Sequence, residues 1–205
     1  MKLAIFGATG RTGRHLVEQA VEGGHTVTVL VRTPAAFPMQ HERLTIIQGD
    51  VRDAAAVEAT VAGQDAVLSA LGTNQQGPVS VCTDGIQRIL TAMTQLQVRR
   101  LLVVSAYGAM ESHHRTLYNL FLWTLLKGKM VDKERMEELI TRSDVDWTLI
   151  RPPRLSDGPP TRQYRSGPDL RMHVTSRISR ADVAAFMLHH LKDAASVHKA
   201  LAITA

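Results

Sequence analysis

With 205 residues and a hydrophobic fraction of 44%, the chain is long enough for one domain with a sizeable core. The single cysteine, Cys82, excludes an internal disulfide and a cysteine-built metal site, and no apolar run reaches the roughly 20 residues that span a bilayer. The formal net charge of +5 equals the excess of arginine over acidic residues within 151–180, so it indicates a local basic segment rather than a surface for nucleic acid.

The first predicted unit consists of a strand, a glycine turn and a helix. The apolar run Leu3–Phe6 stops at Gly7, and Gly10 and Gly13 follow at intervals of three before an amphipathic segment begins. Gly7 would let the chain reverse, Gly10 would let the backbone approach a pyrophosphate, and Gly13 would let the helix pack against the strand. The helix N-terminus would offer free N–H groups to the phosphates. This context favours a dinucleotide site over an ordinary glycine-rich turn.

The end of the second predicted strand indicates which dinucleotide is bound. Thr26–Val31 is followed by Arg32, whereas NAD-preferring folds usually have an acid here that bonds the ribose 2′-OH. A guanidinium suits a 2′-phosphate by charge and by its fork of donors, so NADPH is favoured, although Arg32 would also fit a solvated strand end. Arg11, inside the glycine loop, is expected to stack on the adenine or to add a phosphate contact.

Further strands alternate with helices along the chain. Strands are predicted at 44–47, 66–71, 101–104, 147–150 and 201–204, and helices follow Asp53 and Pro78, cover 117–126 and 131–142, and begin again near Ser179. The strands are near-continuous apolar runs, which indicates a parallel sheet covered on both faces. We therefore predict an α/β fold with a doubly wound, Rossmann-type parallel sheet and a single domain over residues 1–205.

Ligands of such sheets lie at the carboxyl ends of the strands, which brings distant residues together. Asp50 would accept from the adenine amino group with Val51 against the ring, or Asp50 is a turn residue. The predicted cofactor contacts are Gly7, Thr9, Gly10, Arg11, Thr12, Gly13, Arg32, Asp50, Val51, Gly72, Ser105 and Pro152. A loop region at about 151–178 would form the substrate side, and its arginines are either a solvated basic loop or a site for an anionic small molecule.

Several segments resemble the atypical short-chain dehydrogenase/reductase proteins, the single-domain NAD(P)-binding proteins related to NmrA. They are GATGRTG at 7–13, the strand end at Arg32, GDV at 49–51, AGQDAVLSALG at 62–72, VVSA at 103–106, SDVDWTLIRPP at 143–153 and ISRADVAAFML at 178–188. Within that family the chain is similar to the biliverdin-IXβ reductase and flavin reductase group. The resemblance implies NADPH and hydride transfer to a flavin or tetrapyrrole bound as a substrate.

The predicted catalytic residues are Ser105 and Lys133, which match family positions, and Arg154, which departs from the family and would bind a flavin phosphate or tetrapyrrole propionates by its charge. Ser105 would hold the nicotinamide amide or the acceptor, or it merely ends its strand. Lys133 matches the lysine of the Tyr-x-x-x-Lys pair of short-chain dehydrogenases, whose tyrosine position is Lys129 here, or it is a solvated helix charge. Arg154 stands where the flavin and biliverdin reductases are expected to carry a histidine.

Two functions fit the sequence. The first is an NADPH-dependent reductase of a loosely bound flavin or a similar anionic planar acceptor, and the second is a non-catalytic NADP(H) sensor of the NmrA-like kind. No metal site is expected, because none of the nine histidines forms a His-x-x-x-His pair. The first strand begins at Lys2, where a signal peptide would lie, so we expect a cytoplasmic protein, monomeric or dimeric, without nucleic-acid or membrane partners.

Overall fold

The computed structural model describes residues 1–75, 77–110, 117–173 and 175–205, and for 117–122 it describes the backbone alone. The described strands are β1 (Lys2–Phe6), β2 (Thr26–Val31), β3 (Leu44–Gln48), β4 (Ala66–Ser69), β5 (Arg100–Val104), β6 (Asp146–Arg151), β7 (Arg154–Ser156), β8 (Arg165–Gly167), β9 (Arg177–Ser179) and β10 (Lys199–Thr204). The α-helices are α1 (Arg11–Glu22), α2 (Ala54–Val61), α3 (Val81–Gln95), α4 (Leu117–Thr141) and α5 (Arg180–His189).

The described strands form a large sheet in the order β3-β2-β1-β4-β5-β6-β10-β8. All neighbours in this sheet are parallel except β10 and β8, which pair antiparallel at one edge. Strands β7 and β9 form a separate parallel ribbon. The predicted α/β class and doubly wound parallel sheet are therefore confirmed, as one α/β domain.

Helices cover both faces of the sheet, and the alternation of side chains within β1 shows how. Leu3 and Ile5 are buried in the cluster that contains α1 and α5. Ala4 and Phe6 point to the other face, into the cluster that contains α2, α3 and α4. None of the described helices is both long and apolar enough to cross a membrane.

The structure agrees with the sequence prediction for residues 117–142 and differs from it for residues 151–178. Two helices were predicted, at 117–126 and 131–142, and α4 has non-helical angles at Leu126, which separate its two helical parts. The segment 151–178 was predicted as loop, yet it contributes β7, β8 and the start of β9. These strands have three residues each and pair with partners more than 20 residues away, so no local periodicity could reveal them.

Candidate functional site

The glycine turn after β1 is tight because two of its positions have no room for a side chain. Gly7 has φ +80°, and a Cβ atom there would lie 2.6 Å from the carbonyl oxygen of Ala70. A Cβ atom on Gly13 would overlap the carbonyl oxygen of Gly7. The amide of Gly10 donates to the same oxygen at 2.9 Å and closes the turn. The chain reversal at Gly7 and the close packing at Gly13 are thus present as predicted.

The N-terminus of α1 differs from those of α2, α3 and α5 in having no side-chain acceptor among the described residues. Gly10 stands at its cap position without a side-chain hydrogen bond, and its first turn holds no acidic residue. By contrast, Asp53 caps α2, Ser179 caps α5, and Asp132 accepts from two amides at the start of α3. The amides and partial positive charge of α1 are therefore available to an anion.

The residues predicted to hold the adenosine end lie at the carboxyl ends of β2 and β3. Arg32 is exposed and has no hydrogen bond or ion pair within the described residues. One carboxylate oxygen of Asp50 accepts from the amide of Arg52 at 2.9 Å, so this residue does shape a turn. Val51 is only 8% exposed and faces Gly85 in the core. Their contacts with a nucleotide stay predictions.

Arg11 is engaged in a way that the sequence did not suggest. Its guanidinium contacts the carboxylate of Asp157, whose other oxygen accepts from Arg180 at 2.8 Å. Arg11 opens α1 and Arg180 opens α5, so one carboxylate joins the first residues of two neighbouring helices. The 151–178 segment is thereby connected to the glycine turn.

Ser105 follows β5 and has two features that suit a ligand. Its hydroxyl is buried and has no hydrogen-bond partner in the described part of the chain. Its amide donates to Ile150 at 2.7 Å, and the amide of Tyr107 donates to Pro152 at 2.9 Å. In a regular parallel ladder residue 152 would donate to the Ser105 carbonyl, but proline has no N–H. The alternative in which the Ser105 hydroxyl bonds its own backbone is not what the structure shows.

Lys133 lies behind this strand end and is partly buried. Its Nζ donates to the carbonyl oxygen of Leu71 at 3.0 Å and to that of Val104 at 2.7 Å. These contacts exclude the alternative of a solvated helix charge. The catalytic role that the resemblance implied for Lys133 stays a prediction.

The carboxyl end of β6 combines a buried ion pair with an exposed basic pair. The Arg151 guanidinium donates to both carboxylate oxygens of Glu137, at 3.2 and 2.5 Å, and both side chains are almost fully buried. Pro152 is buried and Arg154 is exposed. Arg154 is paired in register with Arg177 of β9, and neither guanidinium has a partner among the described residues.

Arg177 is the functional candidate that the sequence prediction missed. Directly paired residues of two strands project to the same face, and like charges there repel unless an anion lies between them. The sequence contains seven arginines in this stretch, and only the pairing of β7 with β9 singles out two of them.

Tyr107 follows the end of β5 and Tyr164 lies in the 151–178 segment, and both are packed against other residues. Tyr107 is 4% exposed and its hydroxyl accepts from the amide of Met172 at 3.4 Å. Tyr164 meets Phe186 edge to face, and burial is the main cause that raises the pKa of its hydroxyl. Among the described residues no group of three or more potential ligands could hold a metal, and His113 and His114 lie outside them.

The chain belongs to a family described as NAD(P)H-binding, whose pattern matches residues 7–194. A Bacillus subtilis (strain 168) relative, the uncharacterised protein YwnB, is 27% identical over 202 residues, which cover 94% of this chain and 92% of that protein. The family assignment confirms the NAD(P)-binding class that the glycine motif predicted.

Two solved structures show the same fold. ChuY from Escherichia coli O157:H7, described as an anaerobilin reductase, superposes with a TM-score of 0.85 at 20% identity and covers 99% of this chain and 96% of its own. A short-chain dehydrogenase/reductase from Veillonella parvula DSM 2008, solved with NADP, gives 0.82 at 18% identity and covers 98% and 93%. At these identities the likeness shows the fold alone.

Proposed function

We propose that the protein is an NADPH-dependent reductase that passes hydride to a loosely bound flavin, such as FMN or riboflavin, or to a similar planar acceptor such as biliverdin or a quinone. The observation that carries the proposal is Ser105, whose buried hydroxyl has no partner among the described residues and lies next to a carbonyl that lacks its ladder donor. A donor and an acceptor at one residue match a primary carboxamide, which the nicotinamide of the cofactor carries.

The described residues fit the rest of a dinucleotide. The uncapped N-terminus of α1 would take the pyrophosphate, and the unpaired Arg32 would take a 2′-phosphate. A Cβ atom on Gly72 would meet nothing within 4 Å, so the edge beside β4 is open. Bound NADPH would supply the hydride. The chain itself has only to orient donor and acceptor and to exclude water, since solvent or one hydroxyl can provide the proton.

The acceptor side would be formed by the ribbon of β7 and β9. Arg154 and Arg177 present two guanidinium groups there that have no partner in the described structure, which suits a phosphate or carboxylates on the acceptor. An anionic planar small molecule is therefore the proposed partner. That one structural neighbour is described as an anaerobilin reductase and another was solved with NADP supports the proposal.

A non-catalytic NADP(H) sensor is the second candidate, favoured by one observation. Lys129 occupies the tyrosine position of the Tyr-x-x-x-Lys pair, and Lys133 is bonded to two backbone carbonyls. An acid pair of the alcohol dehydrogenase kind is thus missing. Flavin reduction does not require one, so the reductase remains our first proposal.

NADPH oxidation with and without acceptor separates the two functions. Purified protein would be given NADPH and then FMN, riboflavin, biliverdin or a quinone, and NADPH loss would be followed against a protein-free control. We expect turnover with at least one acceptor. NADPH binding in titration without turnover of any acceptor would favour the sensor, and absence of NADPH binding would refute both.

A further inference from the structure

Lys133 joins two strands at the point where their pairing has ended. The last register pair between β4 and β5 is Ser69 with Val103, and the carbonyls that Lys133 binds belong to Leu71 and Val104, beyond that pair. Beyond that pair the two strands diverge, and the backbone amides of one strand no longer bond the carbonyls of the other. The long Lys133 side chain, which carries three N–H donors, bonds these carbonyls instead.

The bonded carbonyls flank the candidate site. Val104 precedes Ser105 directly, and Leu71 precedes Gly72, the open position beside β4. The Lys133 ammonium therefore fixes both peptide units that lead into the site. Two of its three N–H groups are used in this way.

Asp132, the residue before Lys133, also binds a neighbouring element. The Asp132 carboxylate is 1% exposed and accepts from the amides of Cys82 and Thr83 and from the Thr83 hydroxyl, at 2.6–3.0 Å. Asp132 thus holds the start of α3, while Lys133 holds the strand ends. Cys82 connects the two groups of contacts, because its amide donates to Asp132 and its thiol donates to the Leu71 carbonyl that Lys133 also binds.

We propose that Lys133 is a positioning residue, which sets the Ser105 hydroxyl through the Val104 carbonyl and gives no proton to the acceptor. This inference rests on the proposed reductase function for its kinetic part only. Its structural part, that Lys133 steadies the backbone at Ser105, holds whether or not the protein turns over.

Lys133→Met removes the donors and keeps the unbranched stem, and Lys133→Arg keeps a cation with N–H donors that does not give up its proton. The exposed Lys127 on the same helix provides the matched control Lys127→Met. Amide hydrogen exchange would be measured on every variant without cofactor, together with the melting temperature to confirm folding. We expect about tenfold faster exchange at residues 105 and 107 in Lys133→Met, and wild-type exchange in Lys127→Met. Unchanged exchange in a folded Lys133→Met variant would overturn the proposal.

Kinetics then test the route through Ser105. With an acceptor that is reduced, Lys133→Met should lower kcat by about tenfold with less than about twofold change in the Kd for NADPH. In a Ser105→Ala background the same change should lower kcat by less than about twofold, because the group that it positions is gone. Lys133→Arg should recover most of kcat and keep the pH profile. If Lys133→Arg fails as badly as Lys133→Met and one limb of the profile disappears, Lys133 is a proton donor and the proposal is wrong.

If Lys133→Met does not fold, Lys133→Arg alone tests the proposal. Wild-type amide exchange at residues 105 and 107 together with lost turnover in Lys133→Arg would contradict a positioning role. If the wild type reduces no acceptor, the reductase proposal fails while the exchange measurement still tests Lys133.

Discussion

Arg32 and Ser105 lie at the carboxyl ends of their strands, but one side chain is exposed and the other is buried. Within the described part of the chain, Arg32 is exposed and has no partner, whereas the Ser105 hydroxyl is buried and has none. A solvated charge costs little to leave unpaired, while a buried hydroxyl without a hydrogen bond is destabilising. Ser105 is therefore the stronger indication that a ligand binds, and Arg32 indicates which dinucleotide is preferred.

Arg32→Glu should weaken NADPH binding much more than NADH binding, because a carboxylate would face the 2′-phosphate. The loss of a charge-assisted contact should cost roughly 1.5–3 kcal/mol. Calorimetric titration with both cofactors measures the difference. Arg142→Glu is the control, because Arg142 is exposed and lies between the end of α4 and the amino end of β6, away from the carboxyl ends of the strands. Equal losses for NADPH and NADH would show that Arg32 does not select the cofactor.

Ser105→Ala should lower kcat with little change in NADPH affinity, since it removes one hydroxyl and adds no bulk. Ser69→Ala is the matched control, because Ser69 is also a buried serine whose hydroxyl has no partner in the described chain. Steady-state kinetics with the best acceptor compare the two variants. Full turnover by Ser105→Ala would leave this serine as a strand terminator.

At the scale of elements, three polar residues of α4 bind the elements that surround the candidate site. Asp132 binds the start of α3, Lys133 binds the ends of β4 and β5, and Glu137 binds Arg151 at the end of β6. The first two contacts satisfy backbone amides or carbonyls at the ends of the neighbouring elements, and the third pairs a buried charge. The helix is thus the common support of the strand ends that flank the crevice.

Glu137→Gln should strongly destabilise the fold, because it leaves the buried Arg151 charge without its carboxylate. Breaking a buried pair on one side costs about 3–5 kcal/mol. Urea denaturation measures the free energy of unfolding, and Glu138→Gln on the exposed neighbour is the control. A loss below about 1 kcal/mol, the size of an exposed pair, would mean that water reaches this pair.

The ribbon of β7 and β9 predicts a preference between two flavins. FMN carries a phosphate and riboflavin does not, so the wild type should have the lower KM for FMN. Arg154→Ala and Arg177→Ala should each remove most of that difference, whereas the exposed Arg171→Ala should not. The difference should shrink at 1 M salt, where the Debye length is about 3 Å. If both flavins are reduced and the gap survives both substitutions, the ribbon is only a basic surface.

At the scale of the whole molecule, the predicted parts are those with local signals. The β1 strand, the glycine turn and α1 lie within 21 residues and depend on periodicity and on the space around Gly7 and Gly13. The contacts that sequence did not reveal join residues far apart, such as Arg11 with Asp157 and Asp132 with Cys82. Composition shows that such charges exist, but only the folded chain decides which of them meet.

Binding of NADPH should raise the melting temperature, because the proposed cofactor site joins residues from β1 to β6 that come together only in the folded state. At a concentration of about 100 times Kd the native state gains about 2.7 kcal/mol. For a chain of this size we expect a rise of roughly 5–10 °C, by about 2–4 °C per kcal/mol. Thermal denaturation with NADPH, with NADH and without cofactor measures it. No shift at saturating cofactor would contradict the assigned site.

The order of the strands has a consequence for how the crevice tolerates mutation. After β1 the chain turns into α1 on one face of the sheet, and after the adjacent β4 it proceeds to α3 on the other. Two neighbouring strands thus send the chain in opposite directions, and a gap opens between them at a topological switch point. Because connectivity creates this gap, one amino-acid exchange is insufficient to abolish it. Inactive variants should therefore map to the side chains that line the opening or to those that hold its rims in place.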